Sequence, residues 1–156
     1  MLLKKIALFS AFVATIPAAN WLIGNVGTEC IPNGPCLIPV GFGLSAPSGV
    51  LMIGAALVLR DAIQEIGGVK LASVAILIGA ALTWLIASHA LAVASIAAFV
   101  VAEFADLAVY TPLRRKGLSL AILASGLVGS IVDSAVFLWL AFGSLDFMAG
   151  QVVGKM

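Results

Sequence analysis

Residues 91–113 read LAVASIAAFVVAEFADLAVYTPL, an apolar run broken by few polar side chains, with Arg114-Arg115-Lys116 directly after it. A helix rising about 1.5 Å per residue makes this run a rod of about 35 Å, enough to cross a hydrocarbon layer of about 30 Å. On that rod Glu103 lies about 16 Å and Asp106 about 12 Å from Arg114, which puts Glu103 near the midplane. Phe99, Glu103, Asp106 and Tyr110 recur at spacings of four, three and four, so they share one stripe. A carboxylate at the bilayer centre costs roughly 2.5–3.5 kcal/mol on insertion scales. The stretch therefore sets the fold class and shows where to look for function.

The rest of the chain follows the same pattern. Of 156 residues, 63% are hydrophobic and 10% charged, with a mean hydropathy of +1.23. Soluble domains run nearer about 45–50% apolar and about 25% charged, so a water-soluble globule is excluded. The expected fold is an all-α integral membrane protein, a bundle of about five to six transmembrane helices in one polytopic domain over residues 1–156. Spans are expected at 5–23, 48–66, 71–87, 91–113 and 118–142, helical because lipid gives backbone groups no other partner. Residues 144–156 read as a turn and the first residues of a sixth helix that stops short.

The basic residues orient this set. Lys4 and Lys5 precede the first span, Arg60 and Lys70 flank the turn after the second, and Arg114, Arg115 and Lys116 follow the fourth. The positive-inside rule places all seven on the cytoplasmic side of the cytoplasmic membrane, together with the N-terminus. The opposite side carries no Lys or Arg until Lys155. With a net charge of +1 and no longer basic cluster, nucleic acid is not an expected partner; the lipid bilayer is. Trp21, Trp84 and Trp139 fall toward the external ends of their spans, as interface anchors do.

Two segments allow alternatives. Met1 to Ala19 has the layout of a secretory signal, with a basic start, an apolar centre and small residues before Asn20. The apolar run continues through Trp21-Leu22-Ile23, however, which lengthens it to spanning size. Between Gly24 and Pro47 the chain is rich in Gly and Pro, which discourages a regular helix, and a re-entrant path against protein or a wet cavity is expected. Cys30 and Cys36 lie there in a turn-prone stretch on the external face, either disulfide-bonded or as two free thiols. Two Cys with no nearby His do not make a metal site, and neither a metal nor another cofactor is expected.

Candidate binding residues are the polar groups within spans. Besides Glu103 and Asp106, Asp133 sits in the fifth span on a face with Ala121, Ser125 and Gly129 that repeats every four residues and suits close helix packing. Arg60, Asp61, Gln64 and Glu65 crowd the last turns before Gly67-Gly68, in the inner leaflet or at its water boundary. Asn20 is either a ligand-facing amide or an interhelical hydrogen bond. His89, at a turn, reads as a solvated histidine. As the only histidine it leaves no basis for serine or metal catalysis. An aspartyl protease could cast Asp106 with Asp133, but the settings FADL and IVDS do not suit it, and no catalytic residue is assigned.

Three blocks carry a resemblance: LVLRDAIQEIGG, ALAVASIAAFVVAEFADLAVYTPLRRKG and LASGLVGSIVDSAVFLWLAFG. They resemble the vitamin-uptake or queuosine-precursor transporter family at Asp61, Glu65 and Gly67. They do so again at Ala94, Ser95, Ala98, Phe99, Glu103, Asp106, Val109, Tyr110, Leu113 and Arg114, and at Val132, Asp133, Ser134 and Phe137. The resemblance covers about residues 20–155. It implies about six helices and import of cyano- or aminomethyl-7-deazaguanine, with Phe99, Tyr110 and Ser134 joining the intramembrane carboxylates at the site. It departs at GQVVGKM, where a last helix would be starting, so the copy is truncated or something else completes the bundle. No Gly-Lys-Ser/Thr phosphate loop is present. Uptake is then facilitative, ion-coupled or driven by an energising partner, and a homo-oligomer or a non-transporting substrate-binding subunit stays open.

Overall fold

In the computed structural model the chain is described except for Met1 and Arg114, and except for the side chains of Asp61, Gln64, Val69, Glu103, Leu107, Thr111 and Leu118. Helix α1 (Leu2–Asn25) is followed by three short strands, β1 (Glu29–Cys30), β2 (Cys36–Gly41) and β3 (Leu44–Pro47). Then come α2 (Val50–Ile86), α3 (His89–Leu113), α4 (Leu118–Phe142) and α5 (Met148–Lys155).

Helix α2 is bent back on itself. Gly68 has φ 74° and ψ 175°, a conformation outside the helical region, and only glycine adopts it without strain. A straight rod from Val50 to Thr83 would separate the two by about 50 Å, yet both line one cavity. The arms therefore fold together at the Gly67-Gly68 step, and Ile63 of the first arm shares a buried cluster with Phe12 of α1 and Ala72 and Ala75 of the second.

Among the described residues, three helices are long and apolar enough to cross a membrane: Leu2–Asn25, His89–Tyr110 and Ser119–Phe142. The expected spans at 48–66 and 71–87 fall in the two arms of α2, whose apolar stretches are the shorter Val50–Arg60 and Lys70–Ile86. Large apolar side chains such as Leu3, Val58, Leu85, Phe104 and Leu123 stand exposed on the helices, an arrangement that suits lipid rather than water.

The helices pair as two hairpin-like units. On one side α1 lies against both arms of α2, and on the other α3 lies against α4. Small residues permit the second pairing: Ala94, Ala98 and Ala102 are buried at spacings of four on α3, and Ala121 and Ser125 are buried on α4. A side chain added at Gly129 would sit 3.6 Å from Asp106 of α3, so the small-residue face read from the sequence is the packed one. α2 touches α3 only lightly.

The all-helical expectation needs a correction between α1 and α2. β1, β2 and β3 form an antiparallel sheet in that order, in place of a re-entrant loop. Gly41, Phe42 and Gly43 all have positive φ and turn β2 into β3. The sheet is fastened to α1 by Ser48 Oγ, which donates to the Leu22 carbonyl at 2.7 Å, and Cys30 and Cys36, directly opposite in register, are disulfide-bonded. α5 then runs back beneath the sheet, touching β2, β3, α2 and α4. Gly150 makes that approach feasible, since any Cβ there would collide with the Ser45 carbonyl.

Candidate functional site

A cavity of about 330 Å³ lies between the two helical units. That size is at the lower end of the roughly 300–1,000 Å³ of small-molecule sites. Its wall is largely apolar, with Phe12 and Ile16 from α1, Val50 and Leu57 from α2, and Phe99 and Phe137 from α3 and α4. Convergent polar groups interrupt it: Asn20, Arg60, Thr83, Ser95, Asp133, Gln151 and Lys155. Such a wall holds a flat, partly apolar molecule and fixes its orientation through a few polar contacts.

The best-defined polar feature joins α4 to α5. Lys155 Nζ donates to Asp133 Oδ2 at 2.5 Å and to Ser134 Oγ at 2.8 Å. Ser134 Oγ in turn donates to the Ser130 carbonyl at 2.7 Å, so its lone pair is turned toward the ammonium. The Lys155 side chain is 2% accessible and that of Asp133 24%. The cation is thus enclosed while the carboxylate keeps a face on the cavity. Asp133 lies nine residues before the end of α4, about 14 Å along it, so α5 must re-enter the bundle to deliver Lys155 there. Lys155 is thus enclosed within the bundle and paired with Asp133.

The other expected site residues divide. Asp133, Phe99, Asn20 and Arg60 line the cavity. Asn20 Nδ2 donates to the Ile16 carbonyl at 3.0 Å, one turn back beside Pro17 in α1, so this amide N–H is used within α1. Ser134 is fully buried behind Asp133. Asp106 and Tyr110 are half-buried on α3 and lie outside the cavity lining. Asp106 packs toward Gly129. Glu65 is exposed near the bend of α2. Glu103 occupies α3 between Phe99 and Asp106, but its side chain, like those of Asp61 and Gln64, lies outside the described residues, as does Arg114. Among the described residues no cluster of His, Cys, Asp or Glu could hold a metal ion.

Thr83, Ser95, Phe137, Gln151 and Lys155 line the cavity without having stood among the candidate binding residues. Phe137 follows Asp133 by four positions and so shares its face. Gln151 and Lys155 are likewise four apart on α5, a spacing that marks one stripe even in so short a helix. Gln151 is 4% exposed. Its backbone N–H donates to the Phe147 carbonyl, and the residue is part of the cavity lining.

Residues 83–156, close to half the chain, match the family model described as "Putative vitamin uptake transporter". The matched stretch contains α3, α4 and α5 complete, and with them Asp133, Lys155 and both cavity phenylalanines. No curated protein and no solved structure matches the chain.

Proposed function

We propose that the chain is a transporter of the cytoplasmic membrane that imports a queuosine precursor, a 7-deazaguanine free base, held by carboxylates inside the bundle. The observation that carries this reading is the cavity between the two helical units, with Asp133 at its wall and Phe99 and Phe137 facing it from neighbouring helices. A guanine-like ring carries adjacent N–H donors that carboxylates accept. Its flat face stacks on aromatic side chains, as unpaired bases do on proteins. The similarity of residues 83–156 to a vitamin-uptake family supports transport of a small molecule over a catalytic role. Glu103, on the same helix as Phe99, is assigned as a second acceptor. Asp61 and Gln64, toward the end of the first α2 arm, are assigned as further binding residues.

Equilibrium binding of labelled 7-deazaguanine to the purified protein, in competition with purines and water-soluble vitamins, tests the proposal. Glu103→Gln and Asp133→Asn each remove a charge-assisted bond worth about 1.5–3 kcal/mol, or roughly ten- to a hundredfold in affinity. Trp84→Phe, at an exposed position, leaves binding nearly intact. Parent-like binding by both carboxylate variants at normal expression would remove Glu103 and Asp133 from the site.

A further inference from the structure

The geometry points to Lys155 as a specificity-determining residue that, with Asp133, reads the lactam edge of the substrate, meaning a ring carbonyl next to a ring N–H. The inference rests on the function proposed above and deepens it. An ammonium has three N–H donors. In Lys155 one goes to Asp133 Oδ2 and one to Ser134 Oγ, and because Ser134 is itself anchored on the Ser130 carbonyl the head group is held in one orientation. A third donor has no partner among the described residues, and Lys155 is one of the residues lining the cavity, where 2% of its side chain is accessible. Asp133, whose other oxygen retains acceptor capacity, lines the cavity beside it. The enclosed pair therefore presents one donor next to one acceptor, fixed in relation to each other.

Such a couple matches a neutral ligand with the opposite order, an acceptor beside a donor. A lactam supplies that order: its carbonyl accepts from Lys155 Nζ and its ring N–H donates to Asp133. Gln151, buried on the same α5 stripe and among the residues lining the cavity, has an amide that can bond a neighbouring amino group. A heterocycle with an amino group in place of the carbonyl reverses both contacts. It turns N–H toward the ammonium and a ring lone pair toward the carboxylate, and both contacts are repulsive. The chemical class selected is thus the neutral lactam heterocycle, such as 2-amino-pyrimidinone rings, and the class rejected is the diamino heterocycle of the same shape.

The test compares 7-deazaguanine with 2,6-diamino-7-deazapurine for binding to the full chain in detergent. The parent is expected to favour the lactam by roughly ten- to a hundredfold, since two charge-assisted bonds discriminate. Lys155→Met removes the donor but strands a carboxylate and can fail to fold. The double variant Lys155→Met with Asp133→Asn leaves no buried charge unpaired and keeps the test decisive. The double variant is expected to bind both probes within a fewfold of each other. Parent-like lactam preference in a folded double variant, or a parent that binds both probes equally, overturns the role of Lys155 and leaves the transport proposal standing. Binding of neither probe by the parent overturns the substrate proposal and this inference with it.

Discussion

Asp133 and Lys155 show how one residue pair organises the site. Removing one member of a fully buried ion pair costs about 3–5 kcal/mol because the other is left uncompensated, whereas replacing both is far milder. Here Asp133 is 24% accessible, which places Lys155→Met at or below about 3 kcal/mol. Thermal unfolding of Lys155→Met, Asp133→Asn and the double variant measures it. The double variant is expected to be more stable than Lys155→Met alone, and simple additivity of the two losses would contradict the pairing. Asp133 was legible in the sequence because a carboxylate stands out in an apolar run. Lys155 was not, because a lysine near the end of an apolar segment is ordinarily at the interface, and no local pattern reveals a helix that turns back into the bundle. Asp106 misled for the opposite reason. It lies about two turns along α3 from Phe99, and over that distance the helix passes from the cavity wall into the contact with α4 near Gly129.

At the level of the elements, two devices position the cavity: the bend in α2 and the sheet that covers α5. Gly68 holds φ 74° and ψ 175°, a region essentially reserved for glycine, and an L-residue with a side chain pays about 1–3 kcal/mol there. Gly68→Ala is accordingly expected to lower the unfolding temperature without clashing with any described residue, since none of their atoms lies within 4 Å of the added carbon. An unchanged midpoint would mean that the bend relaxes freely. The disulfide between Cys30 and Cys36 closes a short loop, which on the chain-entropy account contributes about 2–3 kcal/mol. Intact mass after alkylation without reduction is expected to show neither thiol modified, and two alkylated thiols would exclude the bond. The long helices and the break at Gly67-Gly68 were legible because hydrophobic runs and glycine pairs act locally. The sheet was not, because its strands are two, six and four residues long and are interrupted by Pro39, so no alternation emerges. Their pairing depends on the Gly41–Gly43 turn and on α5, which lies far along the chain.

The whole molecule is two helical units around a shared cavity, with α5 inserted at one end. Its orientation follows from charge: the side bearing Lys4, Lys5, Arg115 and Lys116 is expected to face the cytoplasm, and the sheet to face outward. Thiol labelling in intact cells after reduction is then expected to reach Cys30 and Cys36, whereas labelling only in permeabilised cells would invert the topology. The division into units also explains why the site was only half legible. Asn20 and Arg60 belong to the first unit, Phe99, Asp133 and Phe137 to the second, and no spacing within either shows how the two meet. Transport itself is the central claim. It is measured most directly as accumulation of labelled 7-deazaguanine in cells that lack their own uptake route and express either this chain or its Asp133→Asn variant. Saturable uptake is expected with the parent, falling roughly tenfold or more at limiting substrate in the variant at equal membrane abundance. Uptake no faster than in cells without the protein, or unchanged by Asp133→Asn, would contradict it.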